Sequence, residues 1–261
     1  MLYYILDLEF NQYFDFSDGS VVPEPACPSE IIQMGLIVMD EKLNITSRRE
    51  TLVKPQIYGR MHPYVHKITG LSMADLHDAP AFPEAYEEFF DFAFGKKAVF
   101  CTWGSEDIKE LYKNILYYDL NPKALSHRYL NVQKLCGQYL DSSNNQQKGL
   151  SAAVADMGLV TDESKPFHNA LNDAEYTAEI LRVLLKSKKS QPYIKFQNLN
   201  MSELKQKISG RVNSVNINLL YTHTERLLKR KLSGREKEAV LEIYNFGRSG
   251  KFDTVPGRHN K

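Results

Sequence analysis

The chain has 261 residues, of which 43% are hydrophobic and 25% charged, and this composition is typical of soluble globular proteins. It lacks a signal-peptide pattern and any apolar run long enough to span a bilayer, so we expect no membrane-spanning segment. The three cysteines, Cys27, Cys101 and Cys136, are scattered, odd in number and without a CxxC motif. They fit reduced thiols better than disulfides or zinc ligands, which predicts a cytoplasmic protein.

The net charge of +1 conceals an uneven distribution. Residues 1–185 carry 16 Lys and Arg against 26 Asp and Glu, whereas residues 186–261 carry 17 against 6. The stretch from Lys186 to Pro192 has the composition of a linker. We therefore predict a domain over 1–186 and a linker with a basic, mainly helical region over 187–261. That region either meets a polyanion or docks on the acidic domain.

The chain begins with a predicted strand and continues with a long polar loop over 10–30, of a kind that is usually functional or mobile. Further strands are predicted over 31–39, 45–53, 98–101 and within 127–130. Helices are predicted over 62–68 and 81–94, from 105 through 115, through 135 and 139, and over 150–157 and 169–186. Capping-box spacings at Thr222 and Ser233 predict the starts of two short helices in the basic region. A hairpin followed by strand–helix alternation indicates an α/β fold with a mixed sheet flanked by helices.

The first strand ends on two carboxylates, Asp7 and Glu9, separated by one residue. Side chains alternate along a strand, so both leave the same face, about 7 Å apart along the chain. Paired acids at the end of a buried strand repel each other unless a cation lies between them. The pair therefore indicates a divalent-metal site.

Three later residues are candidates for the same site. Asp107 follows a strand and a Gly-Ser turn, where an acid alone more often complements a helix dipole. His168 and Asp173 are five residues apart, which is about 140° on a helix, so both cannot point the same way if both are helical. We place His168 in the preceding loop and Asp173 in the helix. Each residue alone is more often structural, and the ordered set is what favours a site.

This set resembles the DEDDh group of 3′→5′ exonucleases, a branch of the ribonuclease H-like superfamily. Its three motifs are matched by Asp7-Leu8-Glu9, by Gly104-Ser105-Glu106-Asp107 and by His168-Asn169-Ala170-Leu171-Asn172-Asp173. Asn169 excludes the variant that has tyrosine at this position. Local matches point to the sub-branch of histone-mRNA and small-RNA trimming exonucleases and KapD-type proteins; they are Pro28 to Gly35, His66 to Leu71, and Trp103 to Asp107. The resemblance covers about residues 2–186.

The resemblance implies a ribonuclease H-like fold and a two-metal reaction that releases nucleoside 5′-monophosphates from single-stranded RNA or DNA 3′ ends. Asp7, Glu9 and Asp173 would hold the metal that binds the attacking water, Asp7 would bridge to the second metal, and Asp107 would act largely through water. The four carboxylates suit Mg²⁺ or Mn²⁺ rather than zinc. His168 would take the proton from the nucleophilic water.

Two aromatic residues next to these motifs are candidate substrate contacts. Phe10 is placed to stack against the terminal base, with anchoring in the core as an equal alternative. Trp103, the single tryptophan, lies beside the turn to Asp107 and is more apt to pack than to touch substrate. The basic region favours capture of an RNA or DNA backbone, and docking on the acidic domain stays open.

The sequence thus predicts a 3′→5′ exonuclease, with RNA favoured over DNA on the sub-branch resemblance alone. The alternative within enzymes is a proofreading or repair-type DNA exonuclease acting with a separate partner. The alternative from another class is a nucleic-acid-binding regulator that retains the fold with little activity. The five matched catalytic positions favour the enzyme.

Overall fold

The computed structural model describes residues 1–16, 18, 21, 23–24, 26–122, 125–140, 147–213 and 217–248. The side chains at 207, 209–213, 217–219, 222, 223, 226 and 245–248 lie outside this description. So do parts of the predicted polar loops, as well as residues 214–216 and 249–261 of the predicted basic region.

Six strands form one mixed sheet in the order β3-β2-β1-β4-β5-β6. The strands are β1 (Leu2–Gln12), β2 (Ser29–Met39), β3 (Ile45–Leu52), β4 (Ala98–Thr102), β5 (Arg128–Asn131) and β6 (Gln197–Asn198). β1, β4 and β5 run parallel, whereas β2, β3 and β6 pair antiparallel with their neighbours. The predicted α/β fold with a mixed sheet is confirmed, including the hairpin of β2 and β3.

Helices connect the strands and follow them. They are α1 (Pro63–Thr69), α2 (Phe82–Phe90), α3 (Glu106–Tyr117), α4 (Val132–Tyr139), α5 (Leu150–Asp156), α6 (Ala170–Lys186), α7 (Met201–Asn213), α8 (Ile217–Leu228) and α9 (Gly234–Arg248). The helix start at Ser233 is confirmed, because its hydroxyl lies 2.9 Å from the Glu236 carboxylate and its N–H donates to the same oxygen. The start at Thr222 is wrong, since α8 begins five residues earlier. Thr222 lies inside that helix, and capping geometry is available only at a helix end.

The side chains of β1 divide between the two faces of the sheet. Leu6 and Leu8 belong to a core cluster with α2 and α3, whereas Ile5 belongs to a second cluster with α4, α5 and α6. Because successive side chains alternate, Asp7 and Glu9 lie on the same face as Ile5. The two acids therefore face the side of the sheet that α6 covers.

The chain forms two compact units, Met1–Ser209 and Gly210–Lys261. The boundary that composition predicts at residue 186 lies inside the first unit. There, β6 pairs with β5, Leu204 is buried in the first core cluster, and the buried Ser190 hydroxyl donates to the Ser187 carbonyl at 2.9 Å. Within the second unit, α8 and α9 contact each other.

Two further predictions are answered by the fold. All three cysteines are free, as the sequence predicts, and the structure places all three in buried positions. Among the described residues, no helix is long and apolar enough to cross a membrane.

Candidate active site

The end of β1 presents the first two candidate ligands. Asp7 lies opposite Gly35 of β2 and Glu9 opposite Gln33, and the register shifts between Glu9 and Phe10. The Glu9 side chain is buried at 9% exposure, whereas Asp7 is half-buried. The two carboxylates share a face, as the strand periodicity predicts.

The turn between β4 and α3 supplies the third carboxylate. Gly104 has a φ of +101°, and its carbonyl accepts a 2.8 Å hydrogen bond from the Thr102 hydroxyl. The turn places Asp107 in the first turn of α3, where the side chain is 9% exposed. The backbone N–H of Leu8 donates to the Asp107 carboxylate, so this acid is tied directly to the strand between Asp7 and Glu9.

A glycine allows α6 to reach the same place. A Cβ on Gly35 would lie 2.1 Å from the Ala170 backbone carbon, much closer than real contacts allow. On the same strand, the Gln33 side-chain oxygen accepts the Ala170 N–H at 3.2 Å. The first turn of α6 is thereby held against β2, and it carries Asp173, which is 7% exposed.

His168 precedes α6, as the five-residue spacing predicts. Its φ is +63°, a left-handed conformation that is uncommon for a residue other than glycine, and its side chain is exposed. Its backbone N–H donates to Asp173 Oδ2 at 3.1 Å. Asn169 caps the helix by accepting the Asn172 N–H at 3.1 Å, and its amide donates to Glu50 at 2.9 Å. These bonds hold the imidazole beside the carboxylates.

Glu9, His168 and Asp173 can each offer a ligand atom, and these atoms lie within 4.8 Å of one another. Asp7 and Asp107 are not part of this tight group. Their connection to it is electrostatic, because the charges of Asp107, Asp173 and Glu9 all raise the pKa of Asp7, after burial as the largest cause. All five predicted catalytic residues therefore meet at the end of β1.

Burial and mutual repulsion make this a costly place for negative charge. Burial, followed by the charges of Asp173 and Asp107, raises the pKa of Glu9 to about 8. Burial raises the pKa of Asp107 to about 7 against hydrogen bonds from its own backbone and from Leu8. Burial raises the pKa of Asp173 to about 6, with the His168 N–H opposing it. Ionised carboxylates in this arrangement need a cation.

The donor set fits divalent cations. Asp173 Oδ1 is buried and has no hydrogen-bond partner among the described residues, as expected for an oxygen that faces a metal. Two carboxylates beside an imidazole, with two more close enough to influence the same charges, offer the oxygen-rich ligation that Mg²⁺ and Mn²⁺ prefer.

The two predicted substrate contacts lie in different surroundings. Phe10 is half-buried and packs against the core cluster of α2 and α3. Trp103 packs against the other cluster, and its indole N–H donates to the Lys148 carbonyl at 3.2 Å. Part of each side chain thus packs against the core, and the rest of each stays exposed to solvent.

Sequence reasoning missed the supporting roles of Gly35 and Gln33. The signal for Gly35 was a glycine inside a strand that is otherwise rich in large apolar residues, which often marks a close approach of another backbone. Gln33 gave no comparable signal. Its role depends on hydrogen bonds to Ala170 and, at 2.8 Å, to Glu50.

Comparisons with known proteins give one family and several related structures. The family model described as exonuclease, of the RNase_T type, matches residues 5–181. The nuclease domain of 3′hExo, a DEDDh family member bound to rAMP, is 20% identical, with a TM-score of 0.62 over 76% of this chain and 97% of that one. The cell-death related nuclease 4 (CRN-4) is 18% identical, with a TM-score of 0.57 over 70% and 63%.

E. coli exonuclease I in complex with a dA16 oligonucleotide is 15% identical, with a TM-score of 0.57 over 74% of this chain and 42% of that one. No curated protein matches the sequence. At these identities the structures establish a shared fold.

Proposed function

Because the chain belongs to the exonuclease (RNase_T) family, we propose that it is a metal-dependent 3′→5′ exonuclease of the DEDDh group. It hydrolyses phosphodiester bonds of single-stranded or 3′-overhanging nucleic acid and releases nucleoside 5′-monophosphates. The observation that carries this proposal is the convergence of four carboxylates beside an imidazole, with one buried carboxylate oxygen lacking a partner.

Each residue of the site has a role in this reaction. Asp7, Glu9 and Asp173 would hold one divalent cation, and Asp7 with Asp107, partly through water, would hold a second. Two bound cations would supply a nucleophilic water at neutral pH and would stabilise charge on the attacking and leaving oxygens. His168 accepts the proton of the attacking water, and its exposed position outside α6 lets it meet an incoming phosphodiester.

The proposed substrate rests on the sub-branch resemblance more than on the residues of the site. We propose RNA over DNA, with Phe10 and Trp103 beside the terminal nucleotide. The related structures include one described as 3′-end specific recognition of histone mRNA stem-loop by 3′-exonuclease, and the dA16 complex of exonuclease I. The fold therefore serves both kinds of strand, and the DNA alternative is part of the test.

The basic region from residue 187 onward would add affinity by capturing the nucleic acid backbone. We propose that its residues in the second unit, Gly210–Lys261, supply this capture, since 187–209 belong to the first unit. The cytoplasm stays the predicted location.

A strand-shortening assay tests the proposal. Single-stranded RNA and DNA of equal sequence, labelled at the 5′ end, are incubated with the full chain and Mg²⁺ or Mn²⁺, and the products are separated by length. We expect a ladder that shortens from the 3′ end, lost in EDTA and in Asp7→Asn. Asp78→Asn is the matched control, because the Asp78 side chain is 98% exposed.

The other outcomes decide between the alternatives. Faster shortening of DNA than of RNA would favour the repair-type enzyme. Binding without shortening at any metal concentration would favour the regulator and reject the proposal. Activity that survives Asp7→Asn would place the chemistry elsewhere.

A further inference from the structure

An aromatic surface lies just beyond the catalytic strand and takes no part in the metal site. It consists of Phe14, Phe16, Arg60 and His62, and we call it the rim surface. We propose that the rim surface binds an unpaired nucleobase of the substrate strand, upstream of the nucleotide being removed. The inference rests on the proposed function for the direction of the strand, and it adds a subsite.

The rings of the rim surface are in mutual contact. Phe14 meets Phe16 at a centroid distance of 4.8 Å and His62 at 5.0 Å, both edge to face. The Arg60 guanidinium lies 3.7 Å from the centroid of the Phe16 ring. Phe14 nevertheless remains 37% exposed, although it is a large apolar side chain. The exposed part of the ring is available to a stacked base.

One buried residue of β1 holds the backbone of Arg60 and His62, and Phe14 and Phe16 follow that residue in the chain. Asn11 is fully buried; its amide donates to the Arg60 carbonyl at 3.0 Å, and its oxygen accepts the His62 N–H at 2.9 Å. Arg60 in turn pairs with Asp18 at 2.8 Å. The surface is therefore positioned relative to the strand that carries Asp7 and Glu9.

The rim surface is within reach of a strand bound at the metal site. Phe14 follows Glu9 by five residues, and an extended chain of that length spans at most about 18 Å. A strand whose 3′ end lies at Glu9 can therefore bring one of its next few bases to Phe14.

The local charges favour bases over phosphates as the ligand. Asp15 and Asp18 lie on the same segment as Phe14, and Asp18 already pairs with the nearby Arg60. Carboxylates repel a phosphate backbone, whereas an aromatic ring stacks on any base with little sequence preference. The rim surface should thus add affinity for single strands without adding to the salt dependence of binding.

The test places single abasic nucleotides along the strand. A 5′-labelled RNA 12-mer and a set of copies with one abasic position each are titrated by anisotropy against the full chain carrying Asp7→Asn, which blocks hydrolysis. In this background we expect Phe14→Ala to weaken binding of the intact strand about fivefold or more. At one position of the strand, an abasic nucleotide should weaken binding to the parent protein by a similar factor. The same nucleotide should not weaken binding to the Phe14→Ala protein any further.

Three variants make the result specific. In Phe14→Trp the same abasic position should still weaken binding, because the ring is kept. In Phe14→Leu, which keeps apolar packing without a ring, that abasic position should have no effect. Tyr193→Ala is the control, because Tyr193 has nearly the same exposure, 38%, and lies elsewhere on a short 3₁₀ helix. Its effect should be small and independent of the abasic position. Thermal unfolding of each variant checks that the fold is retained.

The outcomes separate the rim surface from the catalytic proposal. If Phe14→Ala binds as tightly as its parent, or if no abasic position is coupled to it, the rim surface is wrong even when the wild type shortens the strand. If a position is coupled but the wild type never shortens the strand, the surface stands and the proposed exonuclease function fails. A flatter salt dependence in Phe14→Ala would reject base contact in favour of phosphate contact.

Discussion

The acidic end of β1 and the basic second unit handle charge in opposite ways. Met1–Ser209 carries 22 Lys and Arg against 27 Asp and Glu, whereas Gly210–Lys261 carries 11 against 5. At the end of β1 the acids are buried together, and the pKa of Glu9 rises to about 8. In the second unit the cations of Arg230 and Lys231 are exposed and paired, with Glu236 at 2.6 Å and Glu225 at 2.8 Å.

This difference separates a chemical site from an electrostatic surface. Buried like charges destabilise the fold, and a bound cation would relieve that cost. Exposed pairs contribute little to stability, are screened by salt, and act on partners mainly through their summed field. The predictions below test each side of this comparison.

The largest expected effect is on the rate. His168→Gln removes the proposed base without removing a carboxylate, so we expect kcat to fall by about 10²- to 10⁴-fold. The His168 N–H to Asp173 belongs to the backbone and is retained. Mn²⁺ should therefore still raise the thermal unfolding temperature, which is measured beside the rate. A variant that loses less than a factor of ten in kcat would remove His168 from the base role.

The next effect is on the packing that brings the acids together. Gly35→Ala would force a Cβ into the Ala170 backbone, so α6 must move or the strand must shift. We expect a loss of about 1–3 kcal/mol in the free energy of unfolding, together with weaker metal binding. Denaturant unfolding and Mn²⁺ titration measure these.

Gly137→Ala is the matched control for that substitution. Gly137 lies in α4, and an added Cβ there meets nothing within 4 Å. Alanine should therefore stabilise the helix slightly. Equal effects of the two substitutions would show that the close approach at Gly35 does not hold α6 in place.

Gly35 also shows how far sequence could predict this fold. The sequence alone predicts that Asp7 and Glu9 share a face, because strand alternation is a local pattern. Helical periodicity alone likewise predicts that His168 lies outside α6. The requirement for glycine at 35 comes from Ala170, 135 residues away, so no local pattern could state it. The stretch after Lys186 has a linker composition, yet the first unit includes it up to Ser209. Its packed residues, among them Ser190, the two residues of β6 and Leu204, are too scattered to show as periodicity.

The burial of these carboxylates, with mutual repulsion as a smaller cause, predicts a pH dependence of stability in the absence of metal. Unfolded carboxyls ionise near pH 4, whereas Glu9, Asp107 and Asp173 in the fold ionise near pH 8, 7 and 6. Between these values the folded state holds protons that the unfolded state has lost. The contribution of these groups to stability is therefore full at low pH and falls as pH rises from about 4 to 8.

Thermal unfolding in EDTA measures this. From pH 5.5 to pH 8 we expect the unfolding temperature to fall by on the order of 5 °C, and Mg²⁺ or Mn²⁺ at pH 8 should restore it. Glu9→Gln removes the carboxyl group whose pKa rises to about 8 and should flatten the dependence. The same fall in Glu9→Gln as in the wild type would assign the pH dependence to other groups.

The smallest expected effect belongs to the basic unit. Lys229 and Arg235 are exposed and have no ion pair among the described residues, unlike their neighbours Arg230 and Lys231. If both touch phosphates, the double substitution K229A/R235A in the full chain should weaken binding of single-stranded RNA several-fold. It should also flatten the slope of log K against log salt by up to about 1.4, since each phosphate contact on a single strand contributes about 0.7.

The matched control for the basic unit is K42A/K134A, which removes two exposed lysines of the first unit. It should leave the salt slope unchanged, because these residues lie outside the basic region. The same flattening in both double variants would mean that binding senses only net charge. An unchanged slope in K229A/R235A would remove these two cations from the nucleic-acid interface and favour docking of the basic region on protein instead. The comparison would then rest on the acidic end of β1 alone, since only its charges would have a chemical use.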